Sequence, residues 1–160
     1  LMAERAVNIL QKKVFQNRTL MSSVTKTCDF MGKLMVQDWP SSSQLNQLSN
    51  RYHIRRETLI NLIEIYGDLY KEILNVIEYE PELSAKIDIE YPIIAAEMKY
   101  CIVKEWVNKF SDFMIRRNYY GYLHNKDNEF IKKAAHQFKL LSNSNETEDE
   151  MVQSILREFV

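Results

Sequence analysis

Residues 92–115 read PIIAAEMKYCIVKEWVNKFSDFMI, and their apolar positions decide the fold class. Ile93, Ala96, Tyr100, Val103, Val107, Phe110 and Met114 alternate spacings of three and four, which line one face of an α-helix. A second stripe of Ile94, Met98, Cys101, Ile102, Trp106 and Phe113 lies beside it. An apolar face this wide buries against more than one neighbour. The segment reads as a central helix, with Pro92 in its first turn and a length of roughly 36 Å at helical rise. A bend near Asn108 fits the pattern equally. Tyr100, Val103 and Val107 lie mid-stripe and are expected in the core.

Helical spacing continues on both sides. Upstream, Met2, Ala6, Ile9, Leu10 and Val14 mark a helix over 2–14. It starts mid-pattern without a capping residue, as a piece cut from a longer protein would. Residues 15–42 read as an irregular connecting segment, rich in Thr, Ser and Asn and broken at Gly32. Ser41 and Gln44 form a capping box, so a short helix follows with Leu45 and Leu48 inward. Leu59, Leu62, Ile63 and Tyr66 define a helix over 56–66, and Gly67 fits the left-handed position beyond its end. Tyr70, Ile73, Leu74 and Ile77 resume the stripe as far as Pro81.

Downstream, Phe130, Ile131, Ala134, Phe138 and Leu141 give a helix over 127–141. Thr147 and Glu150 form a second capping box ahead of Met151, Ile155, Leu156 and Phe159. No useful strand alternation and no repeat is visible. The architecture expected is all-α, an irregular bundle of about six or seven helices forming one domain over 1–160.

Only 3 Gly and 3 Pro stand among 160 residues, which disfavours sheets and long loops. With Lys+Arg 21 against Asp+Glu 22, the net charge of -1 gives no long-range attraction to nucleic acid or an anionic membrane. No apolar run approaches the ~20 residues of a membrane span, and the amphipathic start Leu1-Met2-Ala3-Glu4-Arg5 is not a signal peptide. Cys28 and Cys101 read as two reduced thiols, Cys101 as an inert one in the core.

Catalytic and cofactor motifs are missing. The glycines Gly32, Gly67 and Gly121 are isolated, so no G-x-G-x-x-G cradles a pyrophosphate. There is no Walker loop, H-E-x-x-H or G-x-S-x-G. His53, His124 and His136 lie on different segments and read as surface or boundary residues rather than a metal cluster. The acidic run Asn143–Glu150 lacks the turn glycine of a calcium loop and has Ser154 at its twelfth place. Glu97 and Glu105, eight apart, read as members of ion pairs, with Arg51, Arg55 or Arg56 as possible partners. Glu97→Gln is then expected to lower stability. Asp112 and Arg116 are an i,i+4 pair, and Arg116-Arg117 suits a helix C-terminus. A phosphate clamp is the functional alternative. Tyr119, Tyr120 and Tyr122 beside these arginines invite base stacking, against which the balanced charge argues.

The motifs together go further. Ala96-Glu97-x-x-Tyr100-x-Ile102-x-x-Glu105, followed by Asp112-Phe113-x-x-Arg116-Arg117, resembles the C-terminal domain of the FAD-dependent glycerol-3-phosphate dehydrogenases and related oxidases. That family's pattern is close to A-E-x-x-Y-x-V-x-x-E, then D-x-L-x-R-R. Leu62-x-x-x-Tyr66-Gly67 is similar to its L-x-x-x-Y-G, and Met2-Ala3-Glu4-Arg5-Ala6-Val7 to the helix after its flavin domain. Lys26-Thr27 with Gly32 is a fainter likeness. Met114 stands one place off the family's leucine, and the tail beyond Leu141 departs from the pattern.

The resemblance implies a parent enzyme that oxidises sn-glycerol 3-phosphate to dihydroxyacetone phosphate by hydride transfer to FAD. Electrons would pass to a quinone, or to oxygen in the oxidase branch. It implies a helical cap packed on the N-terminal flavin domain of the same polypeptide. The location expected is cytoplasmic, peripheral at the inner membrane face in the quinone-reducing form. The missing calcium loop leans toward a bacterial-type enzyme. No catalytic, cofactor-binding or metal residue is assigned to this chain. Tyr66, Gly67, Glu97, Tyr100, Glu105, Asp112, Arg116 and Arg117 are expected to be architectural. The competing class is a free-standing helical interaction module.

Overall fold

The computed structural model describes residues 2–14, 28 and 32–159. Most of the connecting segment expected over 15–42 therefore lies outside the described residues. The chain divides into two units, Leu1–Lys33 and Leu34–Val160. In the first, helix α1 runs Met2–Val14, as its spacing predicts.

The second unit is built from helices, with no strand among the described residues beyond a single antiparallel bridge, Lys86↔Ile94. Helix α2, Ser42–Tyr52, opens on the expected capping box: Ser41 Oγ accepts from Gln44 N–H, and Gln44 Oε1 accepts from Ser41 N–H at 2.8 Å. It ends on His53 in the left-handed region, φ 53°, where the hydroxyl of Ser49 donates to the carbonyl of Ile54 at 2.6 Å. Helix α3, Arg56–Tyr66, stops at Gly67, whose φ of 57° favours glycine. A 3-10 turn leads into α4, Tyr70–Tyr79, and Pro81 opens the 3-10 turn that follows.

Helix α5 is shorter than the sequence predicts, Ala95–Lys104 rather than 92–115. Its start is delayed because the backbone groups of 93–95 are used elsewhere. Ile93 carbonyl accepts from Ile87 N–H at 3.0 Å, and Ala95 N–H donates to Ala85 carbonyl at 3.1 Å. Pro92 thus precedes the helix instead of opening it. At the other end Cys101 carbonyl accepts from both Glu105 and Val107 N–H, while Trp106 turns to φ 58°. Residues Asp112–Arg117 then form a π-helical turn, with Asn118 N–H bonded to Phe113 carbonyl. The one-turn helix α6, Tyr120–Leu123, follows. Helix α7, Asn128–Leu141, is capped by Asp127, and α8, Glu148–Arg157, by the expected Thr147–Glu150 box. The eight α-helices described exceed the expected six or seven, chiefly because of single-turn α6.

Helix α5 packs on α4 and α7, α7 on α8, and α2 on α3. The core unites Leu59, Leu62 and Ile63 of α3, Ile73 and Leu74 of α4, Met98 and Cys101 of α5, Phe110, Phe113 and Met114, Phe130, Ile131 and Phe138 of α7, and Met151 and Ile155 of α8. Two positions depart from the stripes. Val103 is 59% exposed and Trp106 81% exposed, because the helix ends beside them and nothing in this unit covers that side. Val107, beyond the break, is 3% exposed. Val103→Ala should therefore move stability by no more than about 0.5 kcal/mol. Val107→Ala should cost on the order of 2 kcal/mol. Equal shifts of the two urea midpoints would show that Val103 is covered after all.

Candidate functional site

The motif residues separate into a buried group and a surface corner. The buried group joins α3 to α5. Glu97 and Cys101 are one turn apart on α5, and Tyr66 comes from the last turn of α3. Tyr66 O–H donates to Glu97 Oε1 at 2.9 Å. That phenol has one proton to give, so its 3.3 Å contact with Cys101 Sγ is one in which the thiol donates. Tyr100 meets the Tyr66 ring edge-on at 5.9 Å.

Glu97 is completely buried, and its Oε2 has no hydrogen-bond partner. The expected arginine partner is not there. Arg51 pairs with Glu78, Arg55 with Glu57, and Arg56 donates to Ser42. Without a cation, burial dominates and pushes the carboxyl up to about 8, and Glu105 adds to the rise; only the Tyr66 hydrogen bond opposes it. Burial likewise pushes the Cys101 thiol well up, which fits the inert thiol expected. Tyr66 is raised for the same reason.

The surface corner is assembled by Arg117. Its guanidinium donates to Glu105 carbonyl at 2.9 Å and pairs with the Glu105 carboxylate at 3.3 Å. The end of α5 is thereby tied to the π turn, which also carries the i,i+4 pair Asp112–Arg116 at 2.8 Å. Gly121 meets this turn closely: a Cβ there would lie 2.8 Å from Met114 carbonyl oxygen. Trp106 projects from the corner in a left-handed conformation that is strained for an aromatic residue. The i,i+4 spacing of Glu97 and Cys101 was a legible signal of a shared face. The exposure of Trp106 was not legible, because its spacing continues an inward stripe.

Other candidates resolve individually. His53 caps α2, His136 meets Glu148 at 2.9 Å, and His124 lies against Tyr91, ring centroids 4.1 Å apart. Tyr120 is buried and accepts from Asn61 at 2.9 Å, so it offers no stacking face. One pair escaped the sequence altogether: Lys133 reaches nearly buried Asp88 at 2.7 Å and holds its carboxyl below the usual range. A groove of about 430 Å³ lies among Asp38, Gln44, Arg51 and Lys71. Among the described residues no helix is long and apolar enough to cross a membrane, and no group of three or more His, Cys, Asp or Glu could hold a metal ion.

Among the described helices, α2, α3, α5, α7 and α8 do not open on a phosphate cradle. A pyrophosphate needs glycine-lined backbone opening a helix, whereas α2, α7 and α8 are closed by their own side-chain caps and α3 and α5 open on Arg55 and Ile94. No curated protein and no solved structure matches the chain. A family model does, over residues 23–149, the stretch that contains Tyr66, Glu97, Glu105 and Arg117. The chain therefore belongs to the family described as the C-terminal domain of alpha-glycerophosphate oxidase.

Proposed function

We propose that residues 1–160 form the helical cap of an FAD-dependent enzyme that oxidises sn-glycerol 3-phosphate to dihydroxyacetone phosphate. The family match over residues 23–149 carries this reading. The flavin and the substrate are held by the domain that precedes such a cap, and this sequence carries no G-x-G-x-x-G of its own. The cap seats on that flavin domain through the corner of Trp106. An exposed aromatic side chain on a braced backbone is the usual composition of an interface anchor. The motif residues Glu105, Asp112, Arg116 and Arg117 serve as its brace, and none of them touches the reacting atoms.

The electron acceptor is a quinone at the cytoplasmic membrane face or, as the family's description favours, oxygen. In the reconstituted enzyme, peroxide formed during turnover supports oxygen, and a requirement for quinone supports the membrane form. The chain alone should leave FAD fluorescence unchanged and should co-elute with a separately produced flavin domain. Stoichiometric quenching of FAD by the chain alone would overturn this division of labour. Failure to co-elute would favour the free-standing module.

A further inference from the structure

Among the described residues Glu97 is the one charged-type residue with no exposed surface, and it sits where α3 closes on α5. What faces it can be named element by element. From α3 comes Tyr66 at 2.9 Å. Helix α5 itself contributes Cys101 and, a further turn on, Glu105, whose charge repels a second negative one. From α6 comes Tyr120, whose phenol is held by Asn61. Helices α4 and α7 pack on α5 with buried Ile73, Leu74, Ile131 and Phe138. Arg117, which reaches the end of α5, is already paired with Glu105. The groups that act on Glu97 among the described residues, Tyr66, Tyr120 and Glu105, are neutral or negative. A carboxylate buried without a cation is costly, and the group keeps its proton instead.

We propose that Glu97 is a proton-held latch: its neutral carboxyl closes α3 on α5, and its ionisation loosens that contact as the medium turns alkaline. The atoms support this. The thiol of Cys101 donates to Tyr66, Tyr66 donates to Glu97 Oε1, and a proton on the carboxyl removes a charge for which buried Oε2 has no donor. The folded-state pKa, about 8, lies above the usual 4.5. The folded chain therefore holds this proton more tightly than the unfolded one. The stabilisation is complete below about pH 4.5 and is lost as pH rises through about 8. One proton linked to unfolding changes the folding constant by up to roughly tenfold per pH unit inside that window.

The test is urea unfolding at a series of pH values between about 5 and 9, for the unaltered chain and for Glu97→Gln. Glutamine keeps the acceptor for Tyr66 and cannot ionise. The unaltered chain should lose stability toward alkaline pH. The variant should lose much less, so that it is the more stable of the two at the alkaline end. His53, His124 and His136 are present in both chains and cancel in the difference. Parallel pH profiles would overturn the latch. Should Glu97→Gln fail to fold, infrared spectroscopy of the unaltered chain decides. A protonated carboxylic carbonyl band at neutral pH that disappears on alkaline titration supports the latch, and absence of that band at neutral pH overturns it. Comparing amide exchange in the two chains at one alkaline pH locates the loosening, which should fall on the last turn of α3 and on α5.

Discussion

Trp106→Ala should weaken binding of the cap to its flavin domain by roughly 30-fold or more, the effect of an aromatic anchor worth about 2 kcal/mol or above. The expectation comes from the side chain's 81% exposure, a poor state for an indole in water, and from the strained backbone that presents it. Arg117 braces that backbone through the carbonyl and carboxylate of Glu105, so little conformational entropy remains to be lost on docking. Trp106→Gly separates docking from strain. Glycine accepts a φ of 58° without penalty, so this variant should fold at least as stably as the parent and still dock weakly. Binding is read by isothermal titration calorimetry of each cap variant into the flavin domain, a readout that needs no indole in the variants. Undiminished affinity of Trp106→Ala would move the docking face elsewhere on the cap.

Phe138→Ala should lower stability by about 3–5 kcal/mol, a large share of the total for a domain of this size. Phe138 is fully buried on α7, the helix that lies between α5 and α8. Its ring meets Phe110 at 5.7 Å with the planes tilted by 59°. Truncation would leave a void bounded by α7 itself and by the segment after α5, neither of which is free to collapse. A double-mutant cycle with Phe110→Ala should give a coupling of about 0.5–1.5 kcal/mol for the ring pair. A loss under about 1 kcal/mol for Phe138→Ala would mean that this part of the core repacks.

What could be read from the sequence was local. The boxes at Ser41–Gln44 and Thr147–Glu150 need only residues three apart, and both formed. The stripes of α3, α4 and α7 need only one helical period, and their inward residues are buried, with Leu141 at the end of α7 only partly so. The misreadings lie where a distant group decides. The start of α5 was moved by residues 85–87, which take the hydrogen bonds of 93–95. Its end was set by Arg117, twelve residues away from Glu105. Spacings of three and four persisted across that break, so Phe110, Phe113 and Met114 are buried as the stripes predict although the helix is not continuous. Glu97 was expected to meet an arginine because buried carboxylates usually do; whether a cation reaches it depends on packing between helices, which no spacing records. With no cation beside the carboxyl, Glu97→Gln should be tolerated or favoured at alkaline pH rather than destabilising.

The turn at Asp112–Arg117 gives this stretch an arithmetic of its own. A π turn holds one more residue than the α-helix would use over the same rise. Deleting one residue, for instance Ile115, would remove that extra residue, so the i→i+5 bond from Asn118 N–H to Phe113 carbonyl would be lost and the residues after it would shift in register against the end of α5. Arg117 would then point away from the Glu105 carbonyl, and Gly121 would leave its close approach to Met114. Length, more than residue identity, is what this corner of the chain has to preserve: side-chain exchanges at half-buried Ile115 leave the register intact, whereas a single-codon deletion there dismantles the mount of Trp106.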